Sequence, residues 1–209
     1  MNLINVDGLA LIGPGSEWFW SMLQFVVVAI TLFAIFRQVS LQTSAGAIQQ
    51  ATGLQGDWHS SERLMRSRLA VLVALRDGMN PATTARAAAN EVGNFWERVG
   101  YLVKAGHINR RLVHEYFGNS IQLWWGWLGP SVKFWRESEG EPGIHEHFEW
   151  LAHRVAEMDR EAGAALIYDE AYLTERLPGA IDASRDEIRT EEEVRSVIVR
   201  PPSPLTAPP

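Results

Sequence analysis

The densest grouping of side chains able to do chemistry is His145-Glu146-His147, followed by Glu149 and His153. Glu149 and His153 stand at i and i+4, so they share one helix face. His145 and His147 fall at the start of that helix, where His147 can reach the same side. Imidazole and carboxylate ligands suit a first-row metal such as zinc. Yet the spacing matches no established zinc motif and lacks the two helix-borne histidines of H-E-x-x-H. His145, His147, Glu149 and His153 are therefore weak metal candidates, and the ordinary alternative is a solvated helix face. No metal or other cofactor is expected.

The catalytic classes narrow quickly. The chain contains no cysteine, which excludes thiol catalysis and disulfides. It shows no G-x-S-x-G elbow, no phosphate loop and no dinucleotide glycine fingerprint. Glu97, Glu115 and Glu149 could supply an acid–base pair, but no spacing selects one, and no residue is assigned as catalytic. Glu97 and Arg98 are neighbours, so each needs a partner elsewhere. They sit in Asn94-Phe95-Trp96-Glu97-Arg98, which reads either as a polar site beside an aromatic wall or as a core helix with ordinary ion pairs.

The other conspicuous residues are aromatic. The chain has 9 tryptophans. In SIQLWWGWLGP, Ile121, Trp124, Trp125 and Leu128 share a helix face, and Trp127 lies about 100° from Leu128. Trp127 is thus expected off the buried face. Trp124, Trp127 and Trp135 are the candidate interaction surface, since exposed tryptophan is typical of binding hot spots. The alternatives are an aromatic core and contact of the Trp124–Trp135 segment with lipid headgroups.

The elements that must position these residues begin with Trp18–Phe36, WFWSMLQFVVVAITLFAIF, which carries no charge. As a helix it spans roughly 28 Å, close to a ~30 Å hydrocarbon core. A cleaved signal peptide would want a basic start and a shorter apolar run. A buried core helix usually carries a charge on a polar flank. We read residues 16–37 as a transmembrane helix, with an interfacial aromatic cluster at Trp18, Phe19 and Trp20. All 19 Lys and Arg residues follow Phe36, beginning with Arg37. The positive-inside rule then places residues 1–15 outside the cytoplasm as a short tail and the rest inside.

Residues 38–56 read as a helical juxtamembrane stalk in which Gly53 and Gly56 invite a break. A heptad seam does not hold there. Residues 57–179 read as a cytosolic all-α bundle of about five helices with a Trp-rich core. One helix carries Leu54, Trp58, Met65, Leu69, Leu72 and Leu75 on a stripe and stops at Asp77-Gly78. Asn80-Pro81 starts another that runs to Lys104. A short helix over 109–117 closes at Gly118, a second opens at Ser120, and Gly129-Pro130 ends or kinks it. The next runs from Ile144 to Ala165, with a final short helix over 166–177 ending at Pro178-Gly179. Residues 180–209, acidic and then Pro-rich, read as disordered. Net charge of −6 argues against nucleic acid as a partner.

The ordered series FRQVSLQ (36–42), SERLMRSRL (61–69), NFWERVGYLVKAG (94–106), Trp124-Trp125 and HFEWLAHR (147–154) resembles the "domain of unknown function 4760" family of bacterial membrane-anchored helical proteins. The resemblance spans most of residues 17–155. It implies a helical cytosolic domain at the bacterial inner (plasma) membrane and carries no activity onto any residue. The leading expectation is a non-enzymatic single-pass membrane protein whose bundle binds another protein or itself. The alternatives are a membrane-associated enzyme or metal protein using the Glu149/His153 surface, and a lipid or membrane-state sensor using Trp124–Trp135.

Overall fold

A computed structural model describes residues 5–6, 9–10, 17–163 and 168–199, with side chains over 17–38, 49–163 and 168–195. The chain divides into two compact units, Met1–Ala47 and Ile48–Pro209. In the first, two-residue strands β1 (Asn5–Val6) and β2 (Leu9–Ala10) pair antiparallel, Asn5 with Ala10 and Val6 with Leu9. Helix α1 (Glu17–Ser60) then begins. Its segment Glu17–Gln38 has mean hydropathy 2.2, and none of its apolar window is buried. The buried-helix alternative is therefore not what the chain adopts. This is the one helix among the described residues long and apolar enough to cross a membrane.

The second unit is all-α. Its elements are the end of α1, then α2 (Glu62–Arg76), α3 (Pro81–Thr84), α4 (Arg86–Lys104), α5 (Arg110–Glu139), α6 (Glu146–Glu161) and α7 (Glu170–Val199). Gly53 and Gly56 do not break α1, and a Cβ at either would meet nothing. Ser61 caps α2 by accepting the Leu64 N–H. Asn80 caps α3 by accepting the Ala82 N–H, with Pro81 at the first helical position.

Several expected boundaries are corrected. The helix starting at Pro81 does not run unbroken to Lys104, because the chain leaves helical geometry at Ala85 (φ −130°, ψ 33°). The Ala82 carbonyl instead receives the indole N–H of Trp135 at 3.2 Å, a side-chain contact that competes with the helical ladder. Residues 110–139 form one helix rather than a 109–117 helix and a second one. Gly118 and Gly126 both lie inside it. A Cβ on Gly118 would make only ordinary contacts, with His114 at 3.4 Å and Val155 of α6 at 3.6 Å. A Cβ on Gly126 would lie 2.7 Å from both methyls of Leu173 on α7. Pro130 sits inside α5 without ending it. Likewise Pro178 and Gly179 lie inside α7, which continues to Val199 where disorder was expected. The reason is burial: Leu177, Ile181 and Ser184 are covered by the bundle. Residues 200–209 lie outside the described residues.

The core is built around Trp96, which is fully buried. Trp58, Phe95, Phe117 and Phe148 surround it at ring separations of 4.6–6.1 Å. Of the expected stripe, Leu54, Trp58, Met65 and Leu72 are inside, and so are Val92, Phe95, Val99 and Val103 of α4 and Phe148, Leu151 and Val155 of α6. Phe95 and Phe117 meet Trp96 edge-on, and aromatic pairs of this kind add about 0.5–1.5 kcal/mol each beyond their area.

Candidate functional site

The histidine and carboxylate cluster sits where α4, α5 and the start of α6 meet. His145 is the residue preceding α6 and takes a left-handed conformation (φ 52°, ψ 39°), uncommon for a non-glycine residue. Its side chain makes no cap bond. The ring is buried against Trp135, 5.9 Å away, and against the bare backbone of Gly93. A Cβ on Gly93 would come within 2.7 Å of His145 Cε1 and Nε2. The Nε2 atom has no hydrogen-bond partner. Burial holds the imidazole below its usual pKa, partly offset by Glu97 and reinforced by Arg136.

The cap missing from His145 comes from α4. Glu97 accepts the Phe148 backbone N–H at 2.8 Å and the His147 Nδ1–H at 2.6 Å. A carboxylate at the positive end of a helix satisfies one orphan N–H and complements the dipole. Two glycines make this close approach fit. Gly93 makes room for His145, and a Cβ on Gly100 would lie 2.6 Å from the His147 carbonyl carbon. Tyr101 meets the His147 ring edge-on at 5.6 Å. From α5, Arg136 donates to the Ile144 carbonyl at 2.8 Å and to Glu149 at 2.7 Å.

The candidate metal ligands are thus brought near one another but turned apart. His145 faces Gly93 and Trp135, His147 faces Glu97, and Glu149 faces Arg136. His153 is largely exposed, with its Nε2 3.9 Å from Glu149. Among the described residues, no group of three or more His, Asp or Glu side chains converges as a metal site. The acid–base candidates are also separated by their partners, since Glu115 pairs with Arg111 on the surface at 3.4 Å. Arg98 finds Asp57 at 3.0 Å. The arrangement locks helices together and holds no cleft beside its histidines among those described.

The tryptophans have the same fate. Trp124, Trp127 and Trp135 are all buried. Trp127 was expected off the core face, and the expectation fails because α7 covers that side. Its indole N–H donates to the Leu173 carbonyl at 3.3 Å. The exposed aromatic neighbour is Phe134.

Arg68 was not recognised in the sequence. It is 4% exposed, with its guanidinium 4.5 Å from the Trp58 ring, and it is ion-paired to Glu187 of α7. Glu187 also accepts from His59 at 3.1 Å. Arg68 lies at i+3 from Met65 and i−4 from Leu72, on the buried stripe, and that placement was the available signal.

Open clefts lie elsewhere, two of them along α2 and α4. A cleft of about 610 Å³ is lined by Glu62, Arg63, Arg66, Ala70, Ala87 and Glu91 among others. It continues into one of about 450 Å³ that shares Ala70, Ala87 and Ala88 and adds Val73 and Met79.

Residues 22–155 match the family described as "Domain of unknown function (DUF4760)", and the chain belongs to that family. No curated protein and no solved structure matches the chain.

Proposed function

We propose that this member of the family is a single-pass protein of the bacterial inner (plasma) membrane, with its N-terminal segment outside. Its helical domain is cytoplasmic and acts as a protein-interaction or self-association module. The observation that carries the reading is the segment Glu17–Gln38. Its side chains, including Phe25, Phe33 and Phe36, are exposed along its length, which suits hydrocarbon and not water. Each large apolar side chain gains about 1.5–3 kcal/mol on leaving water. Arg37 closes the segment, and no Lys or Arg precedes it, which supports the orientation.

The interaction role is supported by what the domain does with its polar groups. The residues able to do chemistry are spent on joining α4, α5 and α6, while the α2–α4 face leaves an open groove. Tethering to a surface raises the effective concentration of a partner confined to the same surface. No geometric feature favours chemistry at the Glu149/His153 surface, and burial of Trp124, Trp127 and Trp135 removes support for the lipid-sensing alternative.

The test is a photo-crosslinking amino acid at position 87 in the full chain in native membranes, with position 115 as the control. A product of defined mass from position 87 alone supports the module. Products absent from both positions, together with a monomer by light scattering in detergent, contradict it.

A further inference from the structure

We propose that Glu17–Gln38 pairs in the membrane with the same segment of a second copy of this chain, through a seam centred on Gln24. The inference rests on the reading of this segment as membrane-spanning and adds a contact outside the helical domain. Three observations lead to it.

The first is an amide with nothing to bond. Between the ends of the segment the polar side chains are Ser21, Gln24 and Thr31. The Thr31 hydroxyl donates to the Val27 carbonyl at 2.8 Å, so its own helix satisfies it. The Gln24 side chain is exposed and finds no hydrogen-bond partner among the described residues. It stands about 5 Å along the axis from the middle of the segment. The nearer headgroup region is then about 10 Å further on, beyond the reach of a glutamine. Hydrocarbon offers an amide no partner, and leaving one unbonded there is costly.

The second is a face. At about 100° per residue, Ser21, Gln24 and Thr31 fall within about 80° of one another. Phe19, Phe25, Phe33 and Phe36 all lie about 100° or more from Gln24. Ser21, Gln24, Val28, Thr31, Ile35 and Gln38 are spaced alternately three and four apart, the seam of a left-handed helix pair. All six are exposed. The seam runs about 26 Å, close to the thickness of the hydrocarbon. Ser21 and Thr31 let two backbones approach, and the branched Val28 and Ile35 supply knobs for packing. The phenylalanine rings are left to face lipid.

The third is what makes the partner a second copy. A primary amide is donor and acceptor at once, so it complements its own image across a two-fold axis. Every copy inserts in the same direction and therefore brings its Gln24 to the same depth. In a parallel pair each Gln24 donates to the carbonyl of the other. One polar residue at a seam position also fixes register and the number of strands.

The test uses the full chain in liposomes, floated with lipid after an alkaline wash to establish insertion. The chain has no cysteine, so Glu141→Cys carries donor or acceptor dye, and energy transfer is followed as lipid dilutes the protein. Adding Gln24→Leu, which hydrocarbon accepts, should weaken pairing about tenfold, equivalent to about 1.4 kcal/mol and within the range of an interhelical amide bond. Gln24→Asn should keep most of the pairing. Gln24→Leu with Val26→Gln moves the amide to the opposite face and should not restore it. Oxidation should join two copies through Val28→Cys as the single cysteine and not through Ala29→Cys, about 140° from Gln24. A monomer at every dilution, or equal disulfide formation at positions 28 and 29, overturns the proposal and leaves the membrane reading intact. Pairing unchanged by Gln24→Leu overturns it in favour of association through the helical domain. A chain that does not float with lipid overturns the membrane reading and this proposal together.

Discussion

Replacing a helical glycine with alanine should have opposite signs at two positions of this chain. In α1, Gly53→Ala adds a methyl that meets nothing. It gains about 0.8–1 kcal/mol from helix propensity alone. In α4, Gly100→Ala gains the same propensity, but its Cβ would lie 2.6 Å from the His147 carbonyl carbon. The obstacle is backbone, so no side-chain rotation relieves it, and α4 and α6 must separate by roughly 1 Å. Overpacking of this kind costs about 1–3 kcal/mol or more. The same separation stretches the bonds from Glu97 to Phe148 N and His147, charge-assisted contacts worth about 1.5–3 kcal/mol each. We expect a net loss of about 3 kcal/mol, or roughly 6–12 °C in Tm for a domain of this size. The assay is urea and thermal unfolding of the full chain in detergent, read by tryptophan fluorescence. Gly126→Ala should fall between the two, because it meets the movable methyls of Leu173. A Gly100→Ala protein as stable as the parent would refute the close packing of α4 on α6.

Other perturbations test the remaining contacts. Glu187→Gln weakens the partner of the buried Arg68 and should lose about 1–3 kcal/mol in urea unfolding, whereas Glu192→Gln, more exposed, should change it by less than about 0.5 kcal/mol. Trp127→Ala should cost about 3–5 kcal/mol and expose α7 to limited proteolysis, while Trp127→Phe should keep most of the packing. Burial depresses the pKa of His145, so the unfolded chain binds more protons than the folded one below the ordinary histidine value. Stability contributed there is present above about pH 6.5 and falls as the medium is acidified. His145→Asn, which tolerates the left-handed backbone, should flatten the urea midpoint between about pH 7 and pH 5 relative to the parent. Identical profiles would show that His145 is not the titrating group.

The sequence was most legible where one chemical signal dominated. The apolar run from Trp18, the cap at Asn80-Pro81 and the stop at Asp77-Gly78 all appear in the fold. The buried stripe of Leu54, Trp58, Met65 and Leu72 does too, because helical periodicity reports burial directly. Gly118, Pro178 and Gly179 were misread as helix ends. Their local cost is real, but burial of the neighbouring Phe117, Ile121, Leu177 and Ile181 in the bundle outweighs about 1 kcal/mol per glycine. The same cause hid α7, whose few apolar residues are anchored by partners over a hundred positions away, such as Arg68 for Glu187. At the candidate site, spacing could place Glu149 and His153 on one face. It could not show that Arg136 and Glu97 would take Glu149 and His147 first, since both partners arrive from other helices.

The most direct measurement is the topology of Glu17–Gln38 in the membrane. Single cysteines at Asn5 and at Glu141 in the cysteine-free chain would be treated with a membrane-impermeant maleimide in intact cells. The account predicts labelling at position 5, labelling at position 141 only after permeabilisation, and retention of the chain in the membrane after an alkaline wash. Labelling of both positions from one side, or release by the wash, would contradict it.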